Sequence, residues 1–156
     1  MTDSFSLLNR ELRFYIHEKG WPALTKIQNA SIKAFFSTDN NLILSAATAS
    51  GKTEAAFLPA ISKVNSWDKG VKILYISPLI ALINDQFKRI NDMCFDMNIP
   101  ITSWHGEASK AKKDNLIESP RGILLITPES IEALLSGKAE IAKILFADLE
   151  LSLIHI

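Results

Sequence analysis

Ala46-Ala47-Thr48-Ala49-Ser50-Gly51-Lys52-Thr53, directly behind the apolar run Asn41-Leu42-Ile43-Leu44-Ser45, decides the reading of this 156-residue chain. A short strand, a loop of small residues and a helix opening on Gly-Lys-Thr is a grip for the phosphates of a nucleoside triphosphate. Small side chains let backbone N–H groups turn inward around an anion. Lys52 would reach the β- and γ-phosphates and the Thr53 hydroxyl would sit on Mg²⁺. The alternative is an ordinary strand-to-helix turn with an exposed lysine. That account leaves a positive charge in a first turn, where the helix dipole disfavours it. A bound anion explains Lys52 better. The spacing fits the eight-residue phosphate-loop pattern except at its first position, where Ala46 stands in place of glycine.

The rest of the composition sets bounds. One domain of this length can bury a real core, and 47% apolar residues suit a well-buried α/β protein. The formal net charge is zero, so any nucleic-acid surface has to be local. The lone Cys94 forms no intramolecular disulfide and suits a reducing compartment as a packed thiol. No N-terminal segment has the pattern of a signal peptide, and no run approaches the ~20 apolar residues that span a bilayer. A cytoplasmic protein is expected.

Outward from the loop, hydrophobic spacing predicts helices and strands in alternation. Helices are expected over 7–19, stopping at Gly20, and from Thr25 through Phe36. A strand over 42–45 leads into the loop, and a helix runs from Lys52 toward Val64 with Pro59 inside it, bending it or loosening one hydrogen bond. Val71–Ile76 reads as a buried parallel strand. A long helix over Leu79–Met97, a strand over Ile99–Trp104 and a helix near 109–118 follow. A strand over Gly122–Thr127 leads to a helix from Pro128 through Leu135 with Thr127 as its cap. A short helix near 139–146 precedes a last strand, Leu149–Ile156. Strands alternating with helices imply a parallel sheet covered on both faces. Ligands of such sheets gather at the carboxyl ends of the strands.

Other constellations fall on that edge. Ser77-Pro78-Leu79 follows a strand and opens a helix carrying Gln86, and Thr127-Pro128-Glu129 repeats the layout. Both offer hydroxyls and backbone N–H groups suited to a nucleic-acid backbone contacted without reading sequence. Either alone reads equally as helix capping. Gln28 carries an amide able to pair with both the N6 and N7 edges of adenine, although by itself it reads as an exposed helix residue. His105-Gly106 ends a strand beside Lys110, Lys112 and Lys113, whose charge Glu107, Asp114 and Glu118 offset. With one Cys and scattered His residues, metal binding by these side chains is not expected. Trp21, Trp67 and Trp104 are expected to cover the core.

Taken together, these segments resemble the N-terminal RecA-like motor domain of a superfamily 2 helicase. The loop resembles the first motif of that family, in which alanine commonly takes the first position. Thr25-x-x-Gln28 resembles its adenine-reading Q motif, and Ser77-Pro78-Leu79 with Gln86 resembles motif Ia. His105-Gly106 and Thr127-Pro128-Glu129 resemble its later strand-binding motifs. The stretch from Ser50 to Pro59, including Glu54, resembles the large-helicase-related and DEAD/DEAH-box branches. The resemblance spans about 21–156, after an N-terminal helix within 1–20. It implies a RecA-like α/β fold, ATP and Mg²⁺ as cofactors, and DNA or RNA as partner. The implied ATP site comprises Thr25, Gln28, Thr48, Ala49, Ser50, Gly51, Lys52, Thr53 and Glu54, with Lys52 catalytic and Thr53 on the metal. The implied strand site comprises Ser77, Pro78, Leu79, Gln86, His105, Gly106, Thr127, Pro128 and Glu129.

The family would place an Asp-Glu motif just past Ile156, and a second RecA-like domain further on. Asp148 and Glu150 precede the last strand and do not substitute. These residues alone would bind ATP weakly and hydrolyse it negligibly. The resemblance also places a further strand between the loop strand and the last one, so exposed strand edges would invite dimerisation. Two rival functions share the loop. A translocase or remodeller uses the same motor without separating strands, and a P-loop phosphotransferase would need an acceptor pocket and a lid.

Overall fold

The structure, a computed structural model, describes residues 3–155. They form two compact units that divide after Asn65.

The first unit is helical. A 3-10 turn, Ser4–Leu7, precedes α1 (Arg10–Glu18), which therefore begins later than the spacing predicts. Asn9 caps α1, its side chain accepting from the Leu12 amide at 2.9 Å. Leu8, Leu12 and Ile16 are buried, and Gly20 ends the helical run at φ +65°. α2 (Lys26–Ser37) opens on a capping box: the Gln28 amide donates to Thr25 Oγ1 while Gln28 Oε1 accepts from the Thr25 amide at 2.9 Å.

α3 (Lys52–Lys63) runs unbroken through Pro59. Proline lacks the N–H that would bond the carbonyl four residues back, which is that of Ala55. The Ser31 hydroxyl of α2 takes that place, donating to the Ala55 oxygen at 2.5 Å in a buried setting. The predicted loosening is thus met by a side chain from the neighbouring helix. Ser31→Ala leaves a buried carbonyl orphaned and should destabilise the fold by about 1–3 kcal/mol. A denaturant midpoint unchanged from wild type would refute that role.

The strand expected over 42–45 does not form. Residues 41–46 join no ladder, and Ile43 is 90% exposed. Strand propensity counts only where a neighbour supplies hydrogen bonds, and the sheet of the second unit is ordered β2-β3-β1-β4 without this segment.

The second unit is a parallel four-stranded sheet: β1 (Gly70–Ile76), β2 (Ile101–Trp104), β3 (Arg121–Ile126) and β4 (Leu151–Ile154). Its helices are α4 (Ile80–Met93), α5 (Lys110–Glu118), α6 (Pro128–Gly137) and α7 (Ala139–Phe146). On one face Val71, Leu74, Leu124 and Ile126 pack with Trp104, Leu116, Leu134, Ala142 and Leu145. Trp104 alone of the three tryptophans is buried. The helix predicted to Met97 stops at Met93; a 3-10 turn over Phe95–Met97 follows, and Asn98 turns left-handed at φ +50°. Cys94, between them, is a packed thiol that burial pushes up to about 12. β2 starts at Ile101 because Pro100 has no amide for a ladder. β4 is shorter than predicted, and Ile156 lies outside the described residues. A bulge leaves Lys72 as an extra residue of β1 opposite Gly122, and Lys72 pairs with Glu150 at 3.0 Å. Among the described residues, no helix is long and apolar enough to cross a membrane.

Candidate functional site

The phosphate-loop candidate lies wholly in the first unit. Gly51 caps α3 at φ +85°, and Ala49 takes φ +60°, which a residue with a Cβ rarely adopts. The two left-handed residues curl the loop back over the start of α3. Lys52 Nζ donates to the carbonyls of Ala46 and Ala47 at 2.7 and 2.8 Å. The ammonium is held inside the curl, and the buried Ser50 Oγ has no partner. A cation and an unsatisfied hydroxyl gathered at a helix N-terminus form a donor set suited to an anion.

Gln28 is buried rather than exposed as expected of it alone. Its amide lies against the loop: a Cβ at Gly51 would stand 2.6 Å from Gln28 Nε2. Thr25 adds a second tie, its hydroxyl donating to the Ser50 carbonyl at 3.3 Å. The capping box of α2 therefore doubles as a brace for the loop. Thr48 is exposed, Thr53 is half-buried in the first turn of α3, and Glu54 behind it is buried. Among the described residues, no group of three or more His, Cys, Asp or Glu side chains could hold a metal. Thr53 alone fits a Mg²⁺ that arrives on phosphates and keeps most of its waters.

The second unit gathers the other motifs. Trp104, Ile126, Ile76 and Ile154 stand side by side in register at the carboxyl ends of the four strands. The ladder continues one residue further: the amides of Thr127, Ser77 and His155 donate to the carbonyls of Trp104, Ile126 and Ile76. Above this edge lies a groove of about 420 Å³ lined by Pro78, Ile80, Gly106, Thr127, Glu129, Ser130 and Ala133. Three segments far apart in sequence thus meet, each through the residues singled out from the sequence. Pro128 takes the first helical position of α6 as predicted. The Thr127 hydroxyl, however, makes no cap bond to the backbone and donates instead to Ser130 Oγ at 3.0 Å.

Ser77, Gln86 and His105 are buried and lie outside the groove lining, and Leu79 is exposed beside Pro78 and Ile80. Gln86 Oε1 and His105 Nδ1 are buried without partners. Burial pushes the Tyr75 phenol up, and the Asp85 charge adds to that. Asp148 and Glu150 lie at the amino end of β4, Glu150 on Lys72 and Asp148 3.9 Å from Lys69. Neither reaches the carboxyl edge. Ile80 and Ser130 belong to the stretches 77–82 and 127–130 singled out from the sequence, though not named as site residues, and Ala133, a turn beyond Glu129 on α6, was missed.

The DEAD/DEAH box helicase family profile matches residues 25–154. The chain belongs to this family. Among curated relatives, an activating signal cointegrator 1 complex subunit 3-like protein of Dictyostelium discoideum is 30% identical over 157 residues. That match covers 92% of this chain and 7% of the relative. ATP-dependent helicase Lhr-Core of Methanocaldococcus jannaschii is 29% identical over 151 residues, covering 85% of this chain and 18% of the relative. The chain thus spans less than a fifth of the length of either. The structure of Mycobacterium smegmatis helicase Lhr bound to ssDNA and AMP-PNP aligns at TM-score 0.81 and 25% identity. It covers 98% of this chain and 21% of that one. The DEAD-box helicase Mss116 bound to ssRNA and UDP-BeF, at 22% identity, shares the fold with TM-score 0.82, over 99% of this chain and 33% of its own. The architecture is therefore RecA-like.

Proposed function

We propose that this chain is the ATP-binding and nucleic-acid-binding part of an ATP-dependent DNA or RNA helicase motor, working in the cytoplasm. The observation that carries the reading is the Lys52 ammonium held inside a left-handed loop at the start of α3. Lys52 and Thr53 take the phosphates and Mg²⁺, with Thr48, Ala49, Ser50 and Gly51 wrapping them. Glu54 supports the first turn, and Thr25 and Gln28 read adenine. The groove at the strand ends takes the sugar-phosphate backbone of a single strand through Pro78, Gly106, Thr127 and Glu129. Ser77, Leu79, Gln86, His105 and Pro128 shape it. A second RecA-like domain of the parent protein completes the motor.

Titration of the chain with a fluorescent ATP analogue and with labelled single strands tests both halves. Binding of each is expected. A chain that binds neither would end the reading. A translocase without strand separation shares all of these residues, and strand displacement by the parent protein tells the two apart. A phosphotransferase would bind the analogue and no strand.

Self-association through strands is a second partner reading, favoured by one observation. Among the described residues β4 hydrogen-bonds only to β1, while Leu42, Ile43 and Leu44 lie in a segment without a ladder. Light scattering should show a dimer fraction growing with concentration. A monomer at all concentrations refutes it.

A further inference from the structure

The groove at the strand ends has a single charged lining side chain, Glu129, and its sign is unfavourable for a phosphate backbone. Gly106, which a turn brings to the groove, is exposed. Nothing lies within 4 Å of where a Cβ on Gly106 would stand. Gly106 itself meets no packing, although His105 before it is buried, so hydrogen bonds to the turn bear on where Gly106 faces.

Lys113 of α5 provides one. Its Nζ donates to the His105 carbonyl at 2.7 Å, and the same oxygen accepts from the Ala108 amide at 3.1 Å. The ammonium also lies 5.8 Å from the centroid of the Trp104 ring, within range of a cation–π attraction. Trp104 is fixed in the core, and its carbonyl is tied to the Thr127 amide. Lys113 thus joins the Trp104 ring to the turn that carries Gly106.

We propose that Lys113 is a positioning residue for single-strand binding: it fixes the His105–Ala108 turn so that Gly106 faces the groove. The proposal rests on the groove being the strand site. In this role Lys113 acts through the His105 carbonyl, its Nζ donating there at 2.7 Å, and not through a phosphate.

The test compares Lys113→Met, Lys113→Arg and, on the exposed face of α5, Lys112→Met. Anisotropy of fluorescein-labelled oligothymidylate and oligouridylate is measured over a range of salt, with amide exchange and thermal melting in parallel. Loss of a charge-assisted bond predicts about tenfold weaker binding of both strands by Lys113→Met. Lys113→Arg should recover most of it, Lys112→Met should bind like wild type, and the salt slope should stay the same. Faster exchange at Gly106 and Ala108, with unchanged melting, marks loss of the tether. Three results overturn the proposal: Lys113→Met binding like wild type, unaltered exchange in the turn, or a salt slope lowered by about one, the mark of a direct phosphate contact. If wild type binds neither strand, the groove reading falls and the proposed role with it. If wild type binds and Lys113→Met matches it, only the proposal fails.

Discussion

Lys52→Ala should weaken binding of a fluorescent ATP analogue by about tenfold to a hundredfold, the worth of one charge-assisted hydrogen bond to a phosphate. The effect on folding should be small. The two carbonyls that Lys52 holds belong to Ala46, half-buried, and Ala47, exposed, so water can replace the ammonium there. Lys52→Arg should not restore binding. A planar guanidinium spreads its donors in a rigid fork, whereas the curl between Ala46 and Ala47 holds a compact point charge. Isothermal titration at constant magnesium, beside thermal melting, separates the two effects. Unchanged affinity in a folded Lys52→Ala variant would remove the phosphate reading of the loop.

The second large effect is on stability. Gly122→Ala should destabilise the fold by about 2–5 kcal/mol, from left-handed backbone strain together with overpacking. Gly122 has φ +83° and lies opposite the bulge at Lys72, where two residues of β1 face one of β3. A Cβ built there would land on the Pro100 carbonyl oxygen, which is backbone and already accepts from the Ile123 amide at 2.9 Å. No side-chain rotation relieves such a clash. Relief requires β2 and β3 to part, and Thr102, Ser103 and Trp104 are paired with β3 over the same stretch. Chemical denaturation measures the loss. A midpoint equal to that of wild type would show the backbone able to leave the left-handed region without harm.

The two cases show what could be read from residues alone. The loop and the helix behind it were legible because their signal is local: small residues, a lysine and a threonine at fixed spacing, whose proposed phosphate role the Lys52 variants test. The order of strands and helices in the second unit was legible from the apolar runs for the same reason. The segment 42–45 misled because its apolar residues state a preference for strand, while a strand also needs a neighbour that no local pattern reveals. The break after Met93 was hidden in an apolar stretch that continues through Cys94 and Phe95; only the left-handed Asn98 marks it. The burial of Gln28 and the roles of Ser31 and Lys113 depend on partners 23, 24 and 8 residues away. Sequence spacing carries no record of such meetings. The groove illustrates both sides. Its motifs were found one at a time, and parallel pairing in register then set them on one edge.

Pro59 leaves a single open valence on the side of α3, at the Ala55 carbonyl, and Ser31 fills it. Gln28 lies three residues before Ser31 on α2, and Gly51 lies four before Ala55, so the pairs are each about one helical turn apart. The two contacts act like pins through adjacent holes of two rulers. Two approaches one turn apart on both helices give α2 a single register along α3. A helix-breaking residue thus becomes an indexing device, setting with no added chain how far the Gln28 amide stands from the loop beside it.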